Sequence, residues 1–140
     1  MKTVQAVIER TGGPEVIGWR EVDLPAPGPG EVLLRHDAVG LNFIDTYFRT
    51  GLYPAPLPSG LGMEGAGVIE AVGEGVTDLR PGMRAAYMGT MGAYAGARII
   101  PAAALFALPD AIDTRASAAA LLKGATVEFF AERCAPVAPG

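Results

Sequence analysis

Residues Pro58 to Gly75 read PSGLGMEGAGVIEAVGEG. From Gly65 onward, small residues are threaded among Val68, Ile69 and Val72, as in a strand that bends sharply or passes close to another backbone. Such a strand suits a small barrel. Upstream, Leu52 to Gly62 (LYPAPLPSGLG) carries three prolines and two glycines, which allow neither a long helix nor an interior strand and predict an ordered loop.

Further out, the same alternation of strand and turn recurs. Thr3 to Glu9 (TVQAVIE) reads as a strand followed by the turn formers of Arg10 to Pro14, which predicts a first hairpin. Pro25 to Gly30 (PAPGPG) is a rigid connector, and Glu31 to Val39 (EVLLRHDAV) alternates as a strand whose Arg35 and Asp37 face water. In Asn42 to Thr50 (NFIDTYFRT), Phe43, Ile44, Tyr47 and Phe48 share one helical face, with Gly51 as the stop. Arg80 to Gly82 reads as a turn, with strands at Met83 to Met88 and Ala93 to Pro101. The barrel should be complete by about Leu108, which divides the chain into a barrel over 1–108 and two helices with a connector over 109–140. Asp113-Thr114 can cap a helix through Arg115 to Leu122, and Gly124 separates it from a second helix, Ala125 to Arg133. Ala135 to Gly140 reads as a connector, and no GxGxxG turn lies between a strand and a helix.

The 140 residues suffice to bury a core without disulfide or metal, and with half of them hydrophobic and 19% charged they are not a disordered tail. Nineteen glycines and twelve prolines favour short strands over a helical bundle. The fold class is therefore mainly β with helices. A net charge of −4 offers no basic stripe to nucleic acid and no attraction to an anionic membrane. No apolar run is long enough to span a bilayer and no h-region opens the chain, so a cytoplasmic location is expected. One cysteine, Cys134, and one histidine, His36, are too few soft ligands for an all-protein zinc site. His36 is expected to be a hydrogen-bonded or solvated strand residue.

Three segments in fixed order, Val39 to Tyr53 (VGLNFIDTYFRTGLY), Pro58 to Gly75 and Leu121 to Val127 (LLKGATV), together with the opening GGPEV and Arg80 to Tyr87 (RPGMRAAY), resemble the quinone oxidoreductase or zeta-crystallin branch of the medium-chain dehydrogenases and reductases. The resemblance implies a GroES-like, partly open β-barrel that carries the catalytic residues. It also implies a following Rossmann domain for NADPH, absent here because its glycine-rich turn would come just after Pro139-Gly140.

By resemblance, zinc-dependent relatives have a ligand cysteine at the position of Asn42 and a histidine at that of Met63, so neither zinc nor any other metal is expected. Hydride can pass directly from a nicotinamide to an electron-poor ring while hydrogen-bond donors stabilise the oxygen that gains charge. Tyr47 and Tyr53 match the family's tyrosines beside nicotinamide and substrate, each an aromatic wall with a hydroxyl; periodicity alone also allows core and loop-anchor roles. Asn42 could bond a ribose, a carboxamide or substrate oxygen, or could cap its helix. These three are the candidate catalytic residues. Asn42, Phe43, Ile44, Asp45, Thr46 and Tyr47 are the candidate cofactor contacts on the first helix, largely through backbone. Lys123, Thr126 and Phe129 are the candidates on the second. Glu64 is read as a structural anchor, and Cys134, lacking a histidine partner, as no nucleophile.

The implied activity is reduction of a quinone by NADPH in a chain that lacks its cofactor half and is inactive alone. An enone or enoyl reductase fragment and a GroES-like binding module without catalysis are the alternatives. Weak or absent NADPH binding and self-association through an exposed apolar face are expected of such a chain.

Overall fold

The computed structural model describes residues 1–135. Strand β1 (Lys2–Ile8) and strand β2 (Ile17–Asp23) form the hairpin, in register from Lys2 opposite Asp23 to Ile8 opposite Ile17. A 3-10 turn at Pro14–Val16, opened by its proline, reverses the chain between them. At its far end β1 also pairs with a two-residue strand β3 (Ser59–Gly60), which lies at a sheet edge, as its proline-rich surroundings demand.

The larger sheet has five antiparallel strands. They are β4 (Glu31–Val39), β5 (Glu64–Val72), β6 (Arg84–Met88), β7 (Ala97–Pro101) and β8 (Phe106–Ala107), in the order β7-β4-β5-β6-β8. Val32, Leu34, Ile69, Tyr87 and Ile100 pack between these strands with essentially no exposure. The two sheets meet where Gln5 bridges Ala95 and the Ala6 N–H donates to the Tyr94 carbonyl at 2.7 Å. They remain two open sheets rather than a closed barrel.

Two helices complete the fold. Helix α1 (Phe43–Thr50) ends on Gly51 at φ 84°, a left-handed conformation that favours glycine. Helix α2 (Thr114–Glu128) begins at Asp113, whose carboxylate accepts from the Arg115 and Ala116 N–H groups at 3.1 Å each. Ala118 of α2 rests on Ala66 and Ala86, small side chains that let helix and sheet approach closely.

Several expectations are corrected. Gly124 separates no helices: α2 runs through it and continues as a π-helical turn over Phe129–Cys134. A lone glycine costs a helix only about 1 kcal/mol, too little to stop one already begun at a capped N-terminus and packed on the sheet through Ala118. The strand expected over Gly65 to Gly75 starts one residue earlier and ends at Val72, and that expected from Ala93 starts at Ala97. Ala93 to Gly96 serve the contacts with β1 and the loop before β5 instead. The apolar face of α1 is not core, since Phe43 is 82% exposed and the helix's buried residue is Asp45. Apart from Ala135, the expected connector lies outside the described residues.

His36 is held within a hydrogen-bonded chain. Its Nδ1 lies 2.7 Å from the Ala95 carbonyl oxygen, which can only accept, so Nδ1 carries the proton and Nε2 accepts from the Tyr87 hydroxyl at 2.9 Å. Arg98 Nη1 donates to that hydroxyl at 3.3 Å and its guanidinium lies 5.1 Å from the Tyr87 ring centre. Burial, opposed by the Ala95 bond and reinforced by Arg98, lowers the His36 pKa from 6.5 to about 4. The unfolded chain therefore binds a proton that the folded chain refuses, so this contribution to stability is complete above pH 6.5 and is lost as pH falls towards 4. Between neutrality and pH 5, where most carboxylates are still ionised, the expected loss is about 2 kcal/mol. Urea midpoints across that range check it, and a His36→Gln variant should flatten the slope. An equally steep slope in the variant would refute the assignment.

Candidate functional site

Asn42 sits at the N-cap position of α1 but its side chain does not cap the helix. The Asn42 backbone N–H donates instead to the Asp45 carboxylate at 2.9 Å, which leaves the side-chain amide free to turn to Glu64. Glu64, at the start of β5, has no exposed surface. An ionised carboxylate there needs partners on both oxygens. Its Oε1 accepts from the Leu122 backbone N–H of α2 at 2.7 Å, and its Oε2 accepts from Asn42 Nδ2 at 2.9 Å and Lys123 Nζ at 3.2 Å. Lys123 Nζ also donates to Asn42 Oδ1 at 2.9 Å. This closes a three-membered network across β5 and the two helices. It also sets the amide's orientation, because a flipped Asn42 would put oxygen against carboxylate and NH2 against ammonium.

Gly40 makes the closeness possible. A Cβ at Gly40 would collide with the Ala118 carbonyl and with Glu64 Oε2. Its N–H meanwhile donates to the Glu64 backbone carbonyl at 3.0 Å.

Asp45 belongs to a neighbouring bond set. Its Oδ2 accepts from Asn42 N–H and, at 2.7 Å, from the Tyr94 hydroxyl, while its buried Oδ1 has no protein partner. Burial, and then Asp45 itself, push the Tyr94 pKa up, so that hydroxyl keeps its proton. Asp45 is thereby committed to holding α1. The Thr46 hydroxyl donates to the Phe43 carbonyl at 2.7 Å, and Ile44 is half-buried.

Tyr47 and Tyr53 come together edge to face, ring centres 5.3 Å apart, with Phe48 a further 5.8 Å from Tyr53. The Tyr53 N–H donates to the Tyr47 carbonyl at 3.1 Å and ties the loop to the helix. Tyr53 is 45% exposed, so its ring is not merely a loop anchor buried in the core. On α2, Thr126 and Phe129 line a groove of about 340 Å³ with Met88, Gly89, Leu122 and Ala125. The Thr126 hydroxyl donates to the Leu122 carbonyl at 2.9 Å, leaving its oxygen as an acceptor. The structure thus brings Asn42 into contact with Lys123, pairs Tyr47 with Tyr53, and places Thr126 with Phe129 along one groove.

Glu64 has more partners than an anchoring role in the sequence suggests. A charged residue in the apolar, glycine-rich run GMEGAGVI needs buried partners, and that signal is present in the sequence. Nothing in the sequence points to Tyr94, Gly40 or the Leu122 N–H. Among the described residues, no three His, Cys, Asp or Glu side chains gather where they could hold a metal ion. No helix there is long and apolar enough to cross a membrane.

Residues 28–110 match the family model for the alcohol dehydrogenase GroES-like domain. The chain is 53% identical over 121 residues to a quinone oxidoreductase of Pseudomonas aeruginosa, an alignment covering 85% of this chain and 37% of that protein. It is 41% identical to a 2-haloacrylate reductase of a Burkholderia species, over 96% of this chain and 43% of the relative. Among solved structures, Escherichia coli quinone oxidoreductase in complex with NADPH superposes with a TM-score of 0.94 at 40% identity, over 97% of this chain and 42% of that one. The chain thus spans well under half the length of these relatives. It belongs to the alcohol dehydrogenase GroES-like domain family, in the quinone oxidoreductase branch.

Proposed function

We propose that this chain supplies the substrate-side half of an NADPH-dependent quinone oxidoreductase that works without zinc. The observation that carries the reading is the contact of Asn42, Glu64 and Lys123, with Asn42 at the start of the helix that carries Tyr47, itself packed edge to face on the exposed Tyr53. The Lys123 ammonium pairs with the buried Glu64 carboxylate at 3.2 Å. Asn42 and Met63 offer an amide and a thioether, and neither replaces the thiolate or imidazole that zinc takes.

The residues suit a nicotinamide and an electron-poor ring. When bound, NADPH supplies hydride. The Tyr47 and Tyr53 rings can wall a flat acceptor, and their hydroxyls can donate to its oxygens. Asn42 and Lys123 can donate to a carboxamide or ribose, while Thr126 and Phe129 line the groove between α2 and Met88. Nothing among the described residues offers a glycine-rich turn at a helix N-terminus for the pyrophosphate.

A second reading is favoured by the 2-haloacrylate reductase relative and the exposed Tyr53. In an enone or acrylate reductase, the Tyr53 hydroxyl would protonate the carbon next to the one that receives hydride.

Two measurements test the proposal. Nicotinamide fluorescence should reveal weak or no NADPH binding to residues 1–140, and a dissociation constant near ~1 µM would contradict it. Joined to the remainder of the E. coli quinone oxidoreductase, the same residues should reduce 1,4-benzoquinone with NADPH. A joined protein that folds and binds NADPH but reduces neither benzoquinone nor 2-chloroacrylate would favour a binding module.

A further inference from the structure

Strand β2 is the open edge of the hairpin sheet. It is seven residues long, pairs with β1 in unbroken register and has no strand on its other side among the described residues. Such an edge is usually blunted by lysine, proline or a bulge, and β2 (IGWREVD) has none of them. Its Arg20 is bound to Glu9 of the same hairpin. Trp19 stands on this edge 63% exposed, on the same face as the 43% exposed Val4 of β1.

The hydrogen bonds of β1 tell which groups of β2 are free. Ala6 N–H donates to the Tyr94 carbonyl, and the Val4 carbonyl accepts from Gly96 N–H at 3.0 Å, so both residues turn their backbone groups away from β2. Their partners Trp19 and Glu21 therefore stand in non-hydrogen-bonded pairs, with N–H and C=O directed out of the sheet edge. Ile17 does the same by the alternation of the strand.

We propose that β2 pairs antiparallel with β2 of a second copy of this chain, in the register that sets Trp19 against Trp19. The outward groups then meet as Trp19 with Trp19 and Ile17 with Glu21, and each such pair exchanges two hydrogen bonds. Charge selects this register. Centring on Arg20 or on Glu21 would set like charges directly opposite, and centring on Val22 would set Glu21 against Asp23, each unfavourable. Centred on Trp19, Arg20 faces Gly18 of the second copy. Gly18 has no side chain and lines a cavity of about 190 Å³ with Glu9, Arg10 and Glu15 on its wall. Glu15 accepts from Gly13 N–H and forms no ion pair among the described residues, which leaves its carboxylate open to the incoming guanidinium. The two indoles meet on one face, where an aromatic pair stabilises a sheet.

The test follows the 140-residue chain by sedimentation and NMR from about 50 µM to 1 mM, a range suited to a strand pair that buries well under about 1,200 Å². The mean mass should climb towards that of two chains. Over the same range the amides of Ile17, Trp19 and Glu21 should exchange with solvent more slowly, while those of Gly18, Arg20 and Val22, already bonded to β1, should keep their rates. Glu21→Pro removes an outward N–H, which an edge strand tolerates, and should weaken association about tenfold or more. Val127→Glu, on the exposed side of α2, should leave it unchanged. Association that survives in a folded Glu21→Pro variant overturns the inference, as does association lost in Val127→Glu, which would move the contact to α2. A chain that stays monomeric at the highest concentration also overturns it. Should Glu21→Pro not fold, the unmodified chain still decides: unslowed exchange at the three outward amides while the mass doubles overturns the inference.

Discussion

Glu64→Gln is expected to destabilise the chain by about 3 kcal/mol, measured as a lower urea midpoint at unchanged slope. The two side chains have the same shape, so lost packing contributes little. Both carboxylate oxygens accept hydrogen bonds, Oε1 from Leu122 N–H and Oε2 from Asn42 and Lys123. An amide has one oxygen. Whichever way the substituted amide turned, its NH2 would face a buried donor, and that donor would lose its partner with no water to replace it. The half-exposed Lys123 can regain hydration, which keeps the loss below that of a fully buried ion pair. The Asn42 side-chain amide should lose its fixed NMR position at the same time. A variant as stable as the parent would show that the network contributes little.

Gly40→Ala is expected to cost a similar amount, about 3 kcal/mol, by a different route. The new methyl would meet the Ala118 carbonyl, which is helix backbone and cannot rotate aside, and Glu64 Oε2, which belongs to a carboxylate tied to three donors. Relief requires α2 to lift from β5, which stretches the Leu122 N–H bond to Glu64 and draws Lys123 from Asn42. Hydrogen exchange separates this from a diffuse loss of stability: the Leu122 amide should exchange faster in proportion beyond the global change. Unaltered relative protection at Leu122 would show that the helix has not moved. The two variants act on one network, so their combined effect should fall short of the sum.

Much of the fold is readable locally. Glu31–Val39 is a strand with the bounds its alternation predicts, Asp113 caps α2, and Gly51 ends α1. These features are legible because proline, glycine, caps and alternation act on the residue's own backbone. The second strand of the hairpin, Ile17–Asp23, is implied without bounds because most of it is exposed, which weakens the apolar alternation that marks a half-buried strand. The Gly124 break fails for the converse reason: tertiary packing of α2 on β5 and β6 outweighs a weak local preference.

The candidate site divides the same way. Asn42, Tyr47, Tyr53, Lys123 and Thr126 stand out in NFIDTY, the loop and LLKGATV as residue types able to meet a ring or a dinucleotide. Sequence by itself determined strands, caps and turns, all properties of short stretches, and the scarcity of soft ligands, a matter of composition. Only the tertiary structure decided that a carboxylate at 64 would meet a backbone N–H 58 residues later and an amide 22 residues earlier. It alone decided that Asp45 would face inward to Tyr94 while Phe43 faced out. A buried charge demands partners but does not name them, and the packing of distant segments settles which donors arrive.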